Sequence, residues 1–251
     1  MARWALLLEY DGKRFVGWQY QITGASIQSV LEEAVGRLAG EKVVCTAAGR
    51  TDSGVHASGQ VVHVDLARDM TPEKLVAALN YHLKPHRVAV VRAALVTEAF
   101  NARFSAIGRA YRYRILNRPA RPALLAGQVW HVPRPLDDAA MHAGAQMLLG
   151  RHDFTSFRAS SCQATSPLRT LDRLDVERHG DMLEIVAEAR SFLHHQVRNM
   201  VGSLKLVGEG RWTPQDMGRV LAACDRGVAG PTAPPDGLCM TGVRYPENPF
   251  N

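Results

Sequence analysis

The stretch KVVCTAAGRTDSGVHASGQVVHVDL, residues 42–66, reads as two strands, KVVCTA and QVVHVDL, on either side of a polar loop. Its surroundings decide the fold class. Upstream, RWALLLEY (residues 3–10) is an apolar strand. After it Ile27, Val30, Leu31, Ala34, Val35 and Leu38 recur at helical spacing, with Ser26 placed to cap that helix and Gly40 to end it. Downstream, TPEKLVAALNYHL predicts a helix with Thr71 as N-cap and Pro72 at its first position, and RVAVVRAALV predicts a strand. Strand, helix, strand, strand, helix, strand is the split βαβ, or ferredoxin-like, order.

The second half repeats that order without a visible sequence repeat. YRYRILN predicts a strand, residues 137–149 a helix ended by Gly150, and residues 171–178 and 182–189 a pair of strands. A helix over 193–207 follows, then one begun by Thr213 and Pro214, then the strand LCMTGVRY. The expectation is an α+β protein of two tandem ferredoxin-like units packed side by side, residues 1–106 and 107–251, with largely antiparallel sheets and helices on one face. The proline-rich NRPARPALL and GPTAPPDG read as loops.

Composition narrows the function classes. With 251 residues, 46% hydrophobic and 22% charged, the chain has material for a core and is neither disordered nor fibrous in character. MARWALLLEYDG meets Glu9 and Asp11 too early for a signal peptide, and no apolar run reaches membrane-spanning length, so a cytosolic protein without a membrane partner is expected. Cys45, Cys162, Cys224 and Cys239 form no C-x-x-C pair and read as buried thiols; no Cys, His or carboxylate cluster has metal-ligand spacing, so no metal is expected. A net charge of +6 points toward a polyanionic partner.

Three stretches carry candidate chemistry. In GRTDSGVH (residues 49–56) an ordinary turn explains Asp52, Ser53 and Gly54, but not Arg50 and His56. A carboxylate beside fixed cations is suited to act as nucleophile or base. Ser53 and His56 have no partner acid or nucleophile elbow that would make a hydrolase of them. In FLHHQVRNMVGSLKLVGEG, Leu193, Val197, Val201, Leu204 and Val207 form a core face. Arg198 lies on a neighbouring flank, and Gly202, costly inside a helix, signals a close approach. In FNARFSAIGRAYRYRILN, Tyr111 and Tyr113 share one strand face, interleaved with Arg103, Arg109, Arg112 and Arg114: rings for bases, guanidinium groups for phosphates.

These stretches together resemble the bacterial tRNA pseudouridine synthase A family, nearly end to end. The resemblance rests on EYDG..F.GWQ, GRTDSGVHASGQVVHV, FNARFSA..RAYRYRI, G.HDFTSFRA, FLHHQVRNMVG and TAPPDGL, in that order. It implies the same two-unit architecture, a homodimer, no metal or organic cofactor, and conversion of uridine to pseudouridine at positions 38, 39 and 40 of the tRNA anticodon stem and loop. By motif it makes Asp52 the catalytic aspartate, Tyr111 the residue against the target base and Arg198 the ion-pair partner, with Arg50 nearby; Arg50, Arg103 and Arg109 are expected on the substrate side. The chain departs from the family's commoner residues at Ser53, where Ala is usual, and at Gln196, where Met is usual. The rival reading is a non-catalytic RNA-binding protein of two ferredoxin-like modules, in which Asp52 would only repel phosphate.

Overall fold

The computed structural model describes residues 1–68 and 70–251. Its contacts divide the chain into two compact units, Met1–Arg109 with Cys239–Asn251, and Ala110–Leu238. Each has mixed, mostly antiparallel architecture of the split βαβ kind.

In the first unit the elements are β1 (Ala2–Tyr10), α1 (Ile27–Ala39), β2 (Thr46–Ala47), β3 (His56–Leu66), α2 (Pro72–Leu83) and β4 (Val88–Val96). β1 is antiparallel to both β3 and β4, and its alternate residues Trp4, Leu6, Leu8 and Tyr10 are buried. The other edge of β3 is shared: β2 pairs at Val62 and His63, and the chain's closing strand pairs in parallel at His56 and Ala57. That parallel pairing is why residues 239–251 cluster with this unit. The expected face of α1 is the buried one, Ser26 and Ser29 form its capping box, and Gly40 ends it at φ 79°. Thr71 and Pro72 begin α2 as expected.

Two boundaries differ. The expected strand KVVCTA shrinks to Thr46–Ala47, because the Cys45 amide donates to the Glu32 carboxylate of α1 at 2.9 Å and Val44 is exposed. β3 begins at His56, so the polar loop is shorter than expected and its last residue belongs to a strand.

The second unit contains β5 (Gly108–Leu116, its first two residues counted with the first unit), β6 (Trp130–His131), α3 (Asp138–Gln146), β7 (Gly150–Asp153), β8 (Leu168–His179), β9 (Met182–Ala189), α4 (Gln196–Gly208) and α5 (Pro214–Ala223). The closing strand is β10 (Leu238–Arg244). The sheet order here is β5-β9-β8-β7, with β6 beside β5. α3 stops short of the expected residue 149, and Gly150, at φ 99°, opens β7 against β8. α4 starts three residues later than expected: Gln196 Oε1 accepts from the Leu193 amide at 2.8 Å, and His195 at φ 61° turns the chain into the helix. Neither β6 nor β7 is long enough to print an alternation in the sequence.

Of the four thiols only Cys45 is buried. The reading of all four as buried is corrected: Cys162 and Cys239 are half-buried, and Cys224, the left-handed C-cap of α5, is exposed. Among the described residues no helix is long and apolar enough to cross a membrane.

Candidate active site

The loop that carries Asp52 is a turn with a foundation. The Val55 amide donates to the Asp52 carbonyl at 3.1 Å, and Gly54 sits at φ 79°, the positive value that the third position of a type II turn requires. An ordinary turn would stop there. Here the segment EYDG..F.GWQ lies against it. The Trp18 amide donates to the Thr51 carbonyl at 2.9 Å, Ser53 Oγ donates to the Phe15 carbonyl at 3.2 Å, and the Gly12 amide donates to His56 Nδ1 at 3.1 Å. Two glycines make the approach feasible: a Cβ on Gly12 would fall on the Val55 carbonyl, and one on Gly17, already at φ 112°, would lie 2.9 Å from the Thr51 carbonyl oxygen.

Beneath the loop is a buried polar group. Tyr10 Oη is 2.9 Å from Thr51 Oγ1, and Gln60 Nε2 donates to the Gly49 carbonyl at 2.7 Å and to Tyr10 Oη at 3.4 Å. Burial, the leading cause, pushes the Tyr10 phenol up to about 12, against the opposing hydrogen bonds to Thr51 and Gln60. On this seat Asp52 is half-buried and Arg50 is exposed.

Arg109 donates to the carbonyls of Ala48 at 2.8 Å, Arg103 at 2.7 Å and Ala106 at 3.3 Å, so its guanidinium ties the start of the same loop to the FNARFSA segment. Arg103 itself is exposed, its guanidinium 5.4 Å from the centre of the Phe104 ring, which is 77% exposed.

The second unit holds Tyr111 and Arg198 on β5 and α4. The alternation on β5 is as the sequence implies: Tyr113 and Ile115 are buried, and Arg112 and Arg114 face the other way, half-buried. Tyr111 is half-buried, its ring edge-on to Phe192 at 5.2 Å. The core face of α4 is the expected one.

The loop GPTAPPDG holds both elements. Arg198 Nε donates to the Ala233 carbonyl at 2.8 Å while the Ala233 amide donates back to the Arg198 carbonyl at 3.1 Å. A Cβ on Gly202 would fall on the Pro231 carbonyl, so the close approach signalled by that glycine is this loop's backbone. Tyr113 Oη donates to the Pro234 carbonyl at 2.8 Å, and a Cβ on Gly237 would lie 2.6 Å from the Tyr113 ring. Burial raises the Tyr113 phenol far above its ordinary range, with Arg198 pulling the other way. Asn199 and Arg226 complete the anchorage: Asn199 Oδ1 accepts from Thr232 Oγ1 at 2.7 Å and from Arg226 at 3.2 Å.

Residue patterning alone did not single out Tyr10, Gly12, Gly17 or Gln60. The available signal was the pair of glycines in EYDG..F.GWQ, but their partners lie some forty positions away, where spacing carries no information.

A family model described as "tRNA pseudouridine synthase" matches residues 7–105 and 145–246. The chain is 64% identical over 252 aligned positions to a protein of Acidiphilium cryptum (strain JF-5) named "tRNA pseudouridine synthase A", covering 100% of this chain and 99% of that relative. It is 62% identical to a protein of the same name from Rhodospirillum centenum (strain ATCC 51521 / SW), over 98% of this chain and 100% of that one.

Proposed function

The chain belongs to the tRNA pseudouridine synthase family, and from that membership we propose that Asp52 drives the isomerisation of uridine to pseudouridine in the anticodon stem and loop, at tRNA positions 38, 39 and 40. The reaction breaks the bond from N1 of the base to the sugar, turns the base within its pocket, joins C5 to the same sugar carbon, and ends with the proton of C5 lost and one gained at N1. An ionised carboxylate serves any of the routes to that outcome, by attack on the sugar, by attack on the base or by removal of a sugar proton. The observation that carries the reading is the foundation under the loop: two glycine approaches and a set of buried hydrogen bonds hold a turn whose aspartate side chain remains half-buried. A turn without a task has no use for that rigidity.

In this reading Tyr111 packs against the extruded base. Stacking of about 1–3 kcal/mol offsets part of the unstacking cost, itself a few kcal/mol. Arg198, oriented through Nε by Ala233, supplies the fork that pairs with the carboxylate. Arg50 and Arg103, both exposed, take phosphates, and Arg109 holds the loop through its carbonyl contacts. The net charge of +6 suits an RNA partner. The homodimer is carried over from the family resemblance, and action in the cytosol from the reading of the sequence.

Asp52→Asn tests the reading, since Asn is among the best replacements for a turn aspartate. The expected outcome is loss of single-turnover pseudouridine formation, with tRNA binding retained or tightened. A rate near that of the unmodified protein would refute it.

A further inference from the structure

Asp52 is fixed through its neighbour. Thr51 precedes it, and both its carbonyl and its hydroxyl are engaged: the carbonyl accepts from the Trp18 amide and the hydroxyl meets Tyr10 Oη. From this geometry we infer that Tyr10 is a positioning residue for the isomerisation, acting through Thr51 Oγ1 on the backbone that carries Asp52. The inference rests on the function proposed above.

The direction of the hydrogen bonds follows from their partners. Gln60 Nε2 can only donate, and it is 2.7 Å from the Gly49 carbonyl and 3.4 Å from Tyr10 Oη. The phenol oxygen accepts there, and its own O–H donates to Thr51 Oγ1 at 2.9 Å. Because burial keeps the phenol protonated well above neutral pH, that donor is constant across the working range. The brace therefore enters the loop at two points, Gly49 through Gln60 and Thr51 through Tyr10.

Packing alone does not call for the hydroxyl. Tyr10 is the last residue of β1, 4% exposed, and its ring lies 6.3 Å from that of Trp18. A phenylalanine would fill the same space. A buried hydroxyl is costly unless it is bonded, and here its partners are the hydroxyl beside the reacting carboxylate and the glutamine amide that grips the start of the loop. Thr51, at 6% exposed, and Gln60, fully buried, are likewise polar residues where an apolar one would serve a core. Small errors in the placement of a reacting group cost rate steeply, which is what a brace at this point prevents.

The test is a double-mutant cycle of Tyr10→Phe and Thr51→Val, with Thr51→Ser as the conservative control. The readouts are single-turnover pseudouridine formation and tRNA affinity, both taken well below melting, and the unfolding midpoint. We expect each single variant to lose about tenfold or more in rate with tRNA affinity unchanged. The double variant should be no slower than the slower single, and Thr51→Ser should stay near the parent rate. A Tyr10→Phe rate within about twofold of the parent, losses that multiply in the double variant, or a loss in tRNA affinity instead of rate would each overturn the inference. An unmodified protein that forms no pseudouridine would remove the proposed function and this inference with it. An active unmodified protein with an unimpaired Tyr10→Phe variant removes the inference alone.

Discussion

Arg198 illustrates how a side chain is chosen by the geometry it must keep. Its Nε–H goes to the Ala233 carbonyl at 2.8 Å, which sets the plane of the whole guanidinium, and its backbone carbonyl takes the Ala233 amide in return. A lysine at this position keeps the charge and loses both the Nε donor and the planar fork. Arg198→Lys is therefore expected to fold with an unfolding midpoint close to the parent and to lose about 100-fold in single-turnover rate, a loss typical of a displaced electrostatic group. Parental turnover would remove Arg198 from the proposed mechanism. At this scale much of the candidate site was legible, for a physical reason: Arg50 and His56 are surplus to a turn, and surplus polar chemistry is visible in one dimension. The supports were not. Gly12 and Gly17 are explained only by carbonyls of Val55 and Thr51, which no local pattern connects to them.

Among the elements, the α-helices the sequence predicted most sharply are those with caps. α1 and α5 each carry a capping box, α2 carries Thr71 and Pro72, and the apolar faces of α1 and α4 are buried as their periodicity implies. Elements of two and four residues, β6 and β7, escape periodicity because they are shorter than the pattern that would announce them, whereas β2 is announced by KVVCTA but overextended. The start of α4 was misplaced because Gln196, buried and bonded to the Leu193 amide, closes a turn ahead of the helix. Within α4, Gly202 sets two effects against each other. Exchange for alanine favours the helix by about 1 kcal/mol, but the new Cβ would fall on the Pro231 carbonyl. Rigid backbone on the far side makes this an overpacking site, where the cost is about 1–3 kcal/mol. Gly202→Ala should accordingly lower stability in urea, and because the displaced loop also holds Arg198 through Ala233, its rate should fall too. A more stable variant would mean that GPTAPPDG yields easily.

Over the whole molecule the least legible features are pairings between distant residues. The parallel pairing of β10 with β3 brings residues 239 and 240 to 56 and 57, and it moves the chain's end into the first unit. The same unit contains a distant pairing with a measurable consequence for the stability of the fold. His63 on β3 is 8% exposed, and its Nδ1 accepts from the Ala102 amide at 3.1 Å, which requires that nitrogen to be unprotonated. Burial is the main cause that lowers its pKa, Arg3 adds to it, and Asp65 opposes both. Arg3 also grips Asp65 with two bonds of 2.8 Å, holding that carboxyl below its ordinary range. The sign follows by linkage. In the unfolded chain a histidine takes up its proton near pH 6.5, whereas folded His63 resists until a lower pH. Its contribution to stability is thus complete above about pH 6.5 and is lost as the pH falls through the folded value. Asp65, also depressed, begins to matter only near about pH 4, below the pH at which the His63 effect sets in. The difference in urea stability between the parent and His63→Gln, whose amide oxygen can still accept from Ala102, should shrink as the pH is lowered from 7 toward 5. Two curves that stay parallel over that interval would show that His63 titrates alike in the folded and unfolded chains, and that its burial between Arg3 and the Ala102 amide does not resist its protonation.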